Sequence, residues 1–306
     1  MAHSAPDNRL YGFVGLGNMG TPMSLRLLEA GHRVVVYDPR AAAMDALVAR
    51  GATSAASLKD LADQAEVVFM SLPMPDVVRQ VAIGDGGLIE GTTARVVVDL
   101  STTGPGVTGQ VAQALTGAGK VLIDCPVSGG AAGAGKGSLA LMVAGEDAAI
   151  DDIEPVLQVF GKVFRVGLTP GQGQMMKLIN NLMSSAALTI ASETMVLGVK
   201  AGLDADKMIE VLNSGSGANS ATGNKIPKFV LPRTFDFGFA LGLSAKDARL
   251  CLEEGDKLGV PMIVGTAVKT LLTIGRDHLG AEADMTEVVR VVEQWAGVEV
   301  KGAAAG

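Results

Sequence analysis

At 306 residues the chain is long enough for two domains with cores of their own, since single domains usually run to about 100–200 residues. With 48% hydrophobic and 19% charged residues it has the composition of a globular protein, and its 40 glycines gather at turns between apolar runs and form no low-complexity tract. A net charge of −7 excludes the basic surface that nucleic-acid binding needs, yet leaves room for a local positive group that holds a small anion.

The first apolar run, Leu10–Val14, predicts a strand and leads directly into Gly15-Leu16-Gly17-Asn18-Met19-Gly20. An amphipathic helix follows, with Met23, Leu27 and Leu28 on one side and Arg26 and Glu29 on the other, stopped by Gly31. Pro22 fits a first helical turn. The strand Val34–Tyr37 then ends at Asp38. Strand, three spaced glycines, helix, strand and acid in this order form a dinucleotide fingerprint. The first glycine makes the tight turn, the second admits the pyrophosphate, the third lets helix and strand pack, and the phosphates sit at the helix N-terminus. Asp38 follows Gly15 by 23 residues, close to the spacing of about 20 at which an acid bonds the ribose hydroxyls. A carboxylate there favours NAD over NADP, although Arg40 beside it keeps NADP open.

The alternation continues with a helix near Ala41–Arg50 and strands at Val67–Ser71, Val96–Leu100, Lys120–Ile123, Leu139–Val143 and Val163–Val166, with a helix over Asp151–Phe160. Strands separated by helical patterns predict a parallel, doubly wound α/β sheet whose ligands lie beyond the carboxyl ends of the strands. Three loops fall there, Ser71-Leu72-Pro73-Met74-Pro75, Asp99-Leu100-Ser101-Thr102-Thr103 and Asp124-Cys125-Pro126-Val127-Ser128-Gly129-Gly130. In the last, glycine N–H groups and the Ser128 hydroxyl suit a carboxylate, although a flexible turn explains the same residues.

From Gly171 onward the period is helical, which places a Rossmann-type domain over 1–168 and an all-α domain for substrate and oligomerisation over 169–306, linked by a long helix Gln174–Lys200. Lys177 is the only charge between Arg165 and Glu193, and Asn180 and Asn181 share its helical face. A buried lysine with a lowered pKa beside two amides reads as a proton-transfer site, and a helix-end lysine reaching solvent is the plainer alternative. Further helices are expected near Ala205–Asn213, Ala245–Leu258, Met262–Ile274 and Met285–Trp295, with loops at Gly215–Gly223 and Pro227–Phe239. Lys246, at the start of one of these helices, faces either a ligand or solvent.

Cys125 and Cys251 match no metal or redox spacing and His3, His32 and His278 are scattered, so no metal is expected and the thiols read as free in a reducing compartment. Met1–Asn8 lacks the apolar core of a signal peptide. The longest apolar run is broken by Asn180, Asn181, Ser184 and Ser185 before it reaches the roughly 18 residues a membrane span needs, so the expectation is a cytoplasmic protein with no membrane partner. The small-residue-rich long helix suggests a homodimer or homotetramer.

Together these motifs resemble the β-hydroxyacid dehydrogenases, the family of 3-hydroxyisobutyrate dehydrogenase and tartronate semialdehyde (2-hydroxy-3-oxopropionate) reductase, from Leu10 to about Val300. Gly15–Met23 is similar to the cofactor signature, Asp124–Gly130 with Gly137-Ser138-Leu139 to the substrate-loop signature, Gly171–Lys177 with Asn180-Asn181 to the catalytic signature, and Lys246-Asp247 to a pair near the nicotinamide. The resemblance implies hydride transfer between NAD(H), or NADP(H), and a short 3-hydroxy acid or its semialdehyde. It makes Lys177 the general acid/base, has Asn181 orient the substrate, and has Ser128, Gly129 and Gly130 hold its carboxylate. It also implies that Leu72 and Pro73 pack along the cofactor, that Thr102 meets the nicotinamide-side ribose, and that Lys246 closes over the cofactor. An imine reductase on the same fold and a non-catalytic dinucleotide-binding module are the alternatives.

Overall fold

A computed structural model describes residues 8–303, which divide into two compact units that meet between Lys177 and Leu178 in sequence. The first turns of the long helix therefore belong with the first unit, nine residues beyond the 1–168 expected for it.

Among the described residues the first unit holds nine strands: β1 Leu10–Val14, β2 Arg33–Tyr37, β3 Thr53–Ser54, β4 Val67–Met70, β5 Val96–Asp99, β6 Val121–Asp124, β7 Val127–Ser128, β8 Leu139–Ala144 and β9 Gly161–Gly167. Their order is β3-β2-β1-β4-β5-β6-β8-β7, with β9 beside β8. The helices are α1 Gly20–Glu29, α2 Ala41–Val48, α3 Leu58–Gln64, α4 Pro75–Ile83, α5 Pro105–Gly117, α6 Gly130–Lys136 and α7 Asp147–Leu157. Both faces of the central strands are covered, so these strands are largely apolar: Val34, Val36, Phe69 and Val98 enter one core, and Val35, Val68, Met70 and Val97 the other. Burying each such side chain contributes about 1.5–3 kcal/mol.

The expected parallel sheet holds from β3 through β6. Beyond it β8 runs antiparallel to β6 and β7 and parallel to β9. β7 keeps the direction of β6, and the reversal comes between β7 and β8, where the segment holding the short helix α6 turns the chain back. Ser128 and the glycines after it, expected in a loop, end β7 and open α6. The α7 helix starts at Asp147 and ends at Leu157, earlier at both ends than the expected Asp151–Phe160.

The second unit is helical: α8 Gln172–Lys200 continues into it, followed by α9 Ala205–Ser214, α10 Leu241–Lys257, α11 Ile263–Leu279 and α12 Val288–Ala296. Side-chain caps define several starts. Asp204 accepts from the Lys207 amide, and Asp284 with Glu287 forms a capping box that leads into α12. A π-helix over Ala221–Val230 replaces parts of both expected loops. By length and composition α8 passes for a membrane span, contrary to the expectation from the polar residues that interrupt it. Half of its most apolar window is buried inside the protein.

Candidate functional site

The fingerprint glycines each do a different task. Gly15 has φ +88° and donates its N–H to the Tyr37 carbonyl at 3.1 Å, tying the turn to the end of β2; a Cβ there would meet the Ser71 carbonyl at 2.3 Å. On Gly20 a Cβ would come within 1.8 Å of the Gly15 carbonyl, so α1 can start there only on glycine. On Gly17 it would touch no protein atom within 4 Å. The fold itself does not need that glycine, and the open space is what a pyrophosphate approaching the backbone requires. The first turn of α1 carries no acid to repel a phosphate. Leu16 follows Gly15 in this turn, Asn18 is exposed, and Met19 precedes the first residue of α1.

Asp38 is buried at the carboxyl end of β2, where Oδ2 accepts the Leu16 amide at 2.8 Å and Oδ1 the Arg40 amide at 2.9 Å. The Arg40 side chain adds Nε to Oδ1 at 2.9 Å and Nη2 to Oδ2 at 3.0 Å. Burial pushes the Asp38 carboxyl up, but the Arg40 guanidinium and the two amides together outweigh it and hold it below the usual carboxylate range. Asp38 is thus a locked carboxylate, and Arg40 is drawn back onto it. Leu72 packs its Cδ2 2.9 Å from where a Gly15 Cβ would stand and donates its amide to Ser101 Oγ at 2.9 Å. Pro73 is exposed and Thr102 half-buried, each following the carboxyl end of a strand, β4 and β5 respectively.

Ser128 is half-buried at the end of β7, and Gly129 and Gly130 follow with φ of +138° and +65°. Both glycines are exposed, and their backbone stands in conformations that other residues rarely adopt.

The start of α8 is bound to the sheet by a network that the sequence did not announce. Asp124 Oδ2, at the end of β6, accepts the amides of Gly171 at 2.8 Å and Gln174 at 3.0 Å, and Oδ1 accepts Gln174 Nε2 at 2.8 Å. Gln174 Oε1 in turn accepts the Thr103 amide at 2.8 Å and the Gly104 amide at 3.2 Å. A Cβ on Gly173 would stand 2.9 Å from Asp124 Oδ2, and Gly171 has φ +106°. The Gly171-Gln172-Gly173-Gln174 run therefore fixes where α8 begins, and with it Lys177 one turn further on. Burial pushes the Asp124 carboxyl up to about 7, against the pull of the donors around it.

Lys177 is only 9% exposed, which removes the reading of a solvated helix-end lysine. One turn later, in the second unit, Asn181 accepts from Asn180 Nδ2 at Oδ1, 3.0 Å, and donates from Nδ2 to Asp247 Oδ2 at 2.6 Å. Lys246 Nζ lies 3.1 Å from Asp247 Oδ1, an ion pair at an angle that makes no hydrogen bond at that oxygen. Lys246 does not open its helix, as expected from sequence, but sits in the second turn of α10. It is buried, contrary to the surface alternative. Asp247, which sequence reasoning paired only with Lys246, is the residue that holds the Asn181 amide. Among the described residues no group of three or more His, Cys, Asp or Glu side chains gathers to hold a metal, and both cysteines are buried and unpaired.

Residues 10–168 match the model of the NAD-binding domain of 6-phosphogluconate dehydrogenase, and 171–292 that described as NAD-binding of NADP-dependent 3-hydroxyisobutyrate dehydrogenase. The 2-(hydroxymethyl)glutarate dehydrogenase of Eubacterium barkeri is 38% identical over 95% of this chain and 97% of its own. The chain belongs to the β-hydroxyacid dehydrogenases. Another member, the 3-hydroxyisobutyrate dehydrogenase of Pseudomonas aeruginosa, is 34% identical over 89% of this chain and 93% of its own. The solved Mycobacterium tuberculosis 3-hydroxyisobutyrate dehydrogenase with L-serine superposes at TM-score 0.85, with 28% identity over 94% of this chain and 99% of that one. An imine reductase from Streptomyces aurantiacus, at TM-score 0.63 and 24% identity over 92% of this chain and 99% of that one, shares the fold alone. As a member of this family the protein is an NAD(P)-dependent hydroxyacid dehydrogenase.

Proposed function

We propose that the protein interconverts a short 3-hydroxy acid and its semialdehyde, with Lys177 as the general acid/base. The observation that carries this reading is the α8 face on which a buried Lys177 is followed one turn later by an Asn181 held on both sides, by Asn180 and Asp247. Bound nicotinamide supplies the hydride exchange. The chain's own residues handle the proton, the placement and the charge. Neutral Lys177 takes the hydroxyl proton in oxidation, and its ammonium returns one to the forming alkoxide in reduction, help that typically contributes about 10²–10⁴-fold. Asn181 orients the substrate with the Nδ2 hydrogen not committed to Asp247. Ser128, Gly129 and Gly130 hold the carboxylate. Gly15, Leu16, Gly17, Asn18, Met19, Gly20, Asp38, Leu72, Pro73, Thr102 and Lys246 serve the cofactor, which Asp38 biases toward NAD.

The imine-reductase alternative is disfavoured by Lys177 itself, because such enzymes usually carry a different residue at that position. We also propose a homo-oligomer of the cytoplasm. Met176, Met183, Ile190 and Leu197 stand exposed at seven-residue intervals along α8, an apolar seam of the kind that pairs helices. Met183→Asp with Ile190→Asp should reduce the mass measured by light scattering to that of one chain; an unchanged mass would contradict the seam.

The test of function follows nicotinamide absorbance with NAD⁺ and NADP⁺ in parallel against 3-hydroxyisobutyrate, glycerate, threonate, serine and 3-hydroxypropionate, and with tartronate semialdehyde in reverse. Turnover of one of these, faster with NAD, is expected. Silence across the panel with cofactor still bound would overturn the reading.

A further inference from the structure

One buried charge in the second unit has no counter-charge. Lys225 is 3% exposed in the π-helix Ala221–Val230, and its Nζ donates to Ser184 Oγ at 2.9 Å and stands 5.3 Å from the centroid of the Phe237 ring. Among the described residues no carboxylate pairs with it. Burial alone pushes its pKa down, with no acid pulling it back. Two other buried lysines are provided for: Lys246 has Asp247, and Lys120 donates to the carbonyls of Gly91 and Ala94 at 2.5 and 2.6 Å. Arg233, half-buried, has Glu293. Taking an ammonium out of water with only a hydroxyl and a ring for company is costly, and an arriving anion offsets part of that cost.

The surrounding backbone is shaped to hold this lysine in place. A π-helix is rare and tends to mark functional segments. Just after it Arg233 and Phe235 adopt φ of +63° and +48°, a conformation costly for any residue but glycine, and the Phe235 amide bonds back to the Phe229 carbonyl at 3.0 Å. That reversal brings Phe237 edge-to-face onto Phe229 and over the lysine. The placement along α8 is equally specific. Ser184 follows Asn181 by three residues and Lys177 by seven, so all three share one face, with Ser184 about 4–5 Å along the axis from Asn181 and about 10 Å from Lys177.

We propose that Lys225, with Ser184, receives a second oxyanion at the far end of the substrate, so that the enzyme prefers 3-hydroxy acids carrying a second carboxylate or a sulfonate two to four bonds from the reacting carbon. This rests on the role given above to Lys177 and Asn181. The lysine replaces water around the distal anion, Ser184 adds a hydrogen bond, and Phe237 keeps solvent away. No bond is made or broken there, so the effect falls on specificity.

The test compares steady-state kinetics of the full chain with 3-hydroxyisobutyrate, a monoanion, against the same skeleton extended by a carboxylate, 2-(hydroxymethyl)succinate and 2-(hydroxymethyl)glutarate, and by a sulfonate, 2-(hydroxymethyl)-3-sulfopropionate. At least one dianion should exceed 3-hydroxyisobutyrate in kcat/KM by roughly 30-fold or more, the scale of one buried charge pair, and which dianion does so names the oxyanion. Lys225→Met should abolish that advantage through KM while leaving 3-hydroxyisobutyrate turnover and NAD affinity in place, and Lys225→Arg should restore part of it. Equal losses on monoanion and dianion, or no dianion preference in the wild type, would overturn the proposal. If Lys225→Met does not fold, inhibition of the wild type by glutarate and succinate against butyrate decides: tighter dianions support the proposal and equal inhibition constants overturn it. Turnover of none of these acids would overturn the reading of Lys177 and this one with it, whereas turnover without discrimination removes only Lys225 from its role.

Discussion

The Asn181 side-chain amide donates to the Asp247 carboxylate at 2.6 Å across two helices of the second unit, α8 and α10, and Asp247 carries Lys246 as its ion-pair partner. Neighbours in sequence thus form one charged pair that fixes an amide 66 residues away. A misplacement of about 1 Å in a positioning group can cost 10²-fold in rate.

Asp247→Ala should therefore lower kcat for the hydroxy acid by about 10–100-fold with the NAD dissociation constant little changed. Asp247→Asn, whose Oδ1 still accepts from Asn181, should recover part of the loss. Steady-state kinetics with a cofactor titration separate this from a folding defect; equal activity in the Ala and Asn variants would contradict the positioning role.

Gly17 and Gly20 separate ligand room from fold room. Gly17→Ala adds a methyl that meets no protein atom, so its melting temperature should match the wild type while NAD binding weakens by about tenfold or more. Gly20→Ala places a methyl against the Gly15 carbonyl and should cost several kcal/mol of stability, an overpacking penalty that the backbone cannot relieve. Thermal melts and cofactor titrations on both variants check the pair, and unchanged NAD affinity in Gly17→Ala would show that the open space is not the pyrophosphate's.

Asp124 should make stability depend on pH. Burial raises its carboxyl from 3.8 to about 7, so between those values the folded chain binds more protons than the unfolded one and stability falls as pH rises. Its contribution is full below about pH 4 and is lost as pH passes through about 7, on the order of a few kcal/mol across the window. Asp124→Asn cannot titrate, and its advantage relative to the wild type should grow from pH 5 to pH 8 in urea unfolding. The same slope in both proteins would contradict the assignment.

What the sequence disclosed and what it hid have physical causes. Runs such as Val34–Tyr37 and Val67–Met70 are covered on both faces and so are apolar at every position, which makes them legible as strands of a two-sided sheet. The Gly15–Gly20 spacing is a local steric code and was readable for that reason. The antiparallel β8 was not, because pairing direction is set by a connection and leaves no mark in a strand's own residues. The π-helix escaped because its period is neither that of an α-helix nor that of a strand, and Pro227 within it reads as a loop. Asp124 with Gln174, and Lys225 with Ser184, meet across 50 and 41 residues, and no local pattern encodes such a meeting. Lys177 and Asn181 were legible because a lone charge in a long uncharged helix stands out by itself.

The most direct test of the account is Lys177→Ala, assayed for turnover of the best hydroxy acid and, separately, for NAD binding. Turnover should fall by about 10²–10⁴-fold while NAD affinity stays within about threefold of the wild type, because the group removed handles the proton and not the cofactor. Turnover at more than about a tenth of the wild-type rate would contradict the role of Lys177 as general acid/base.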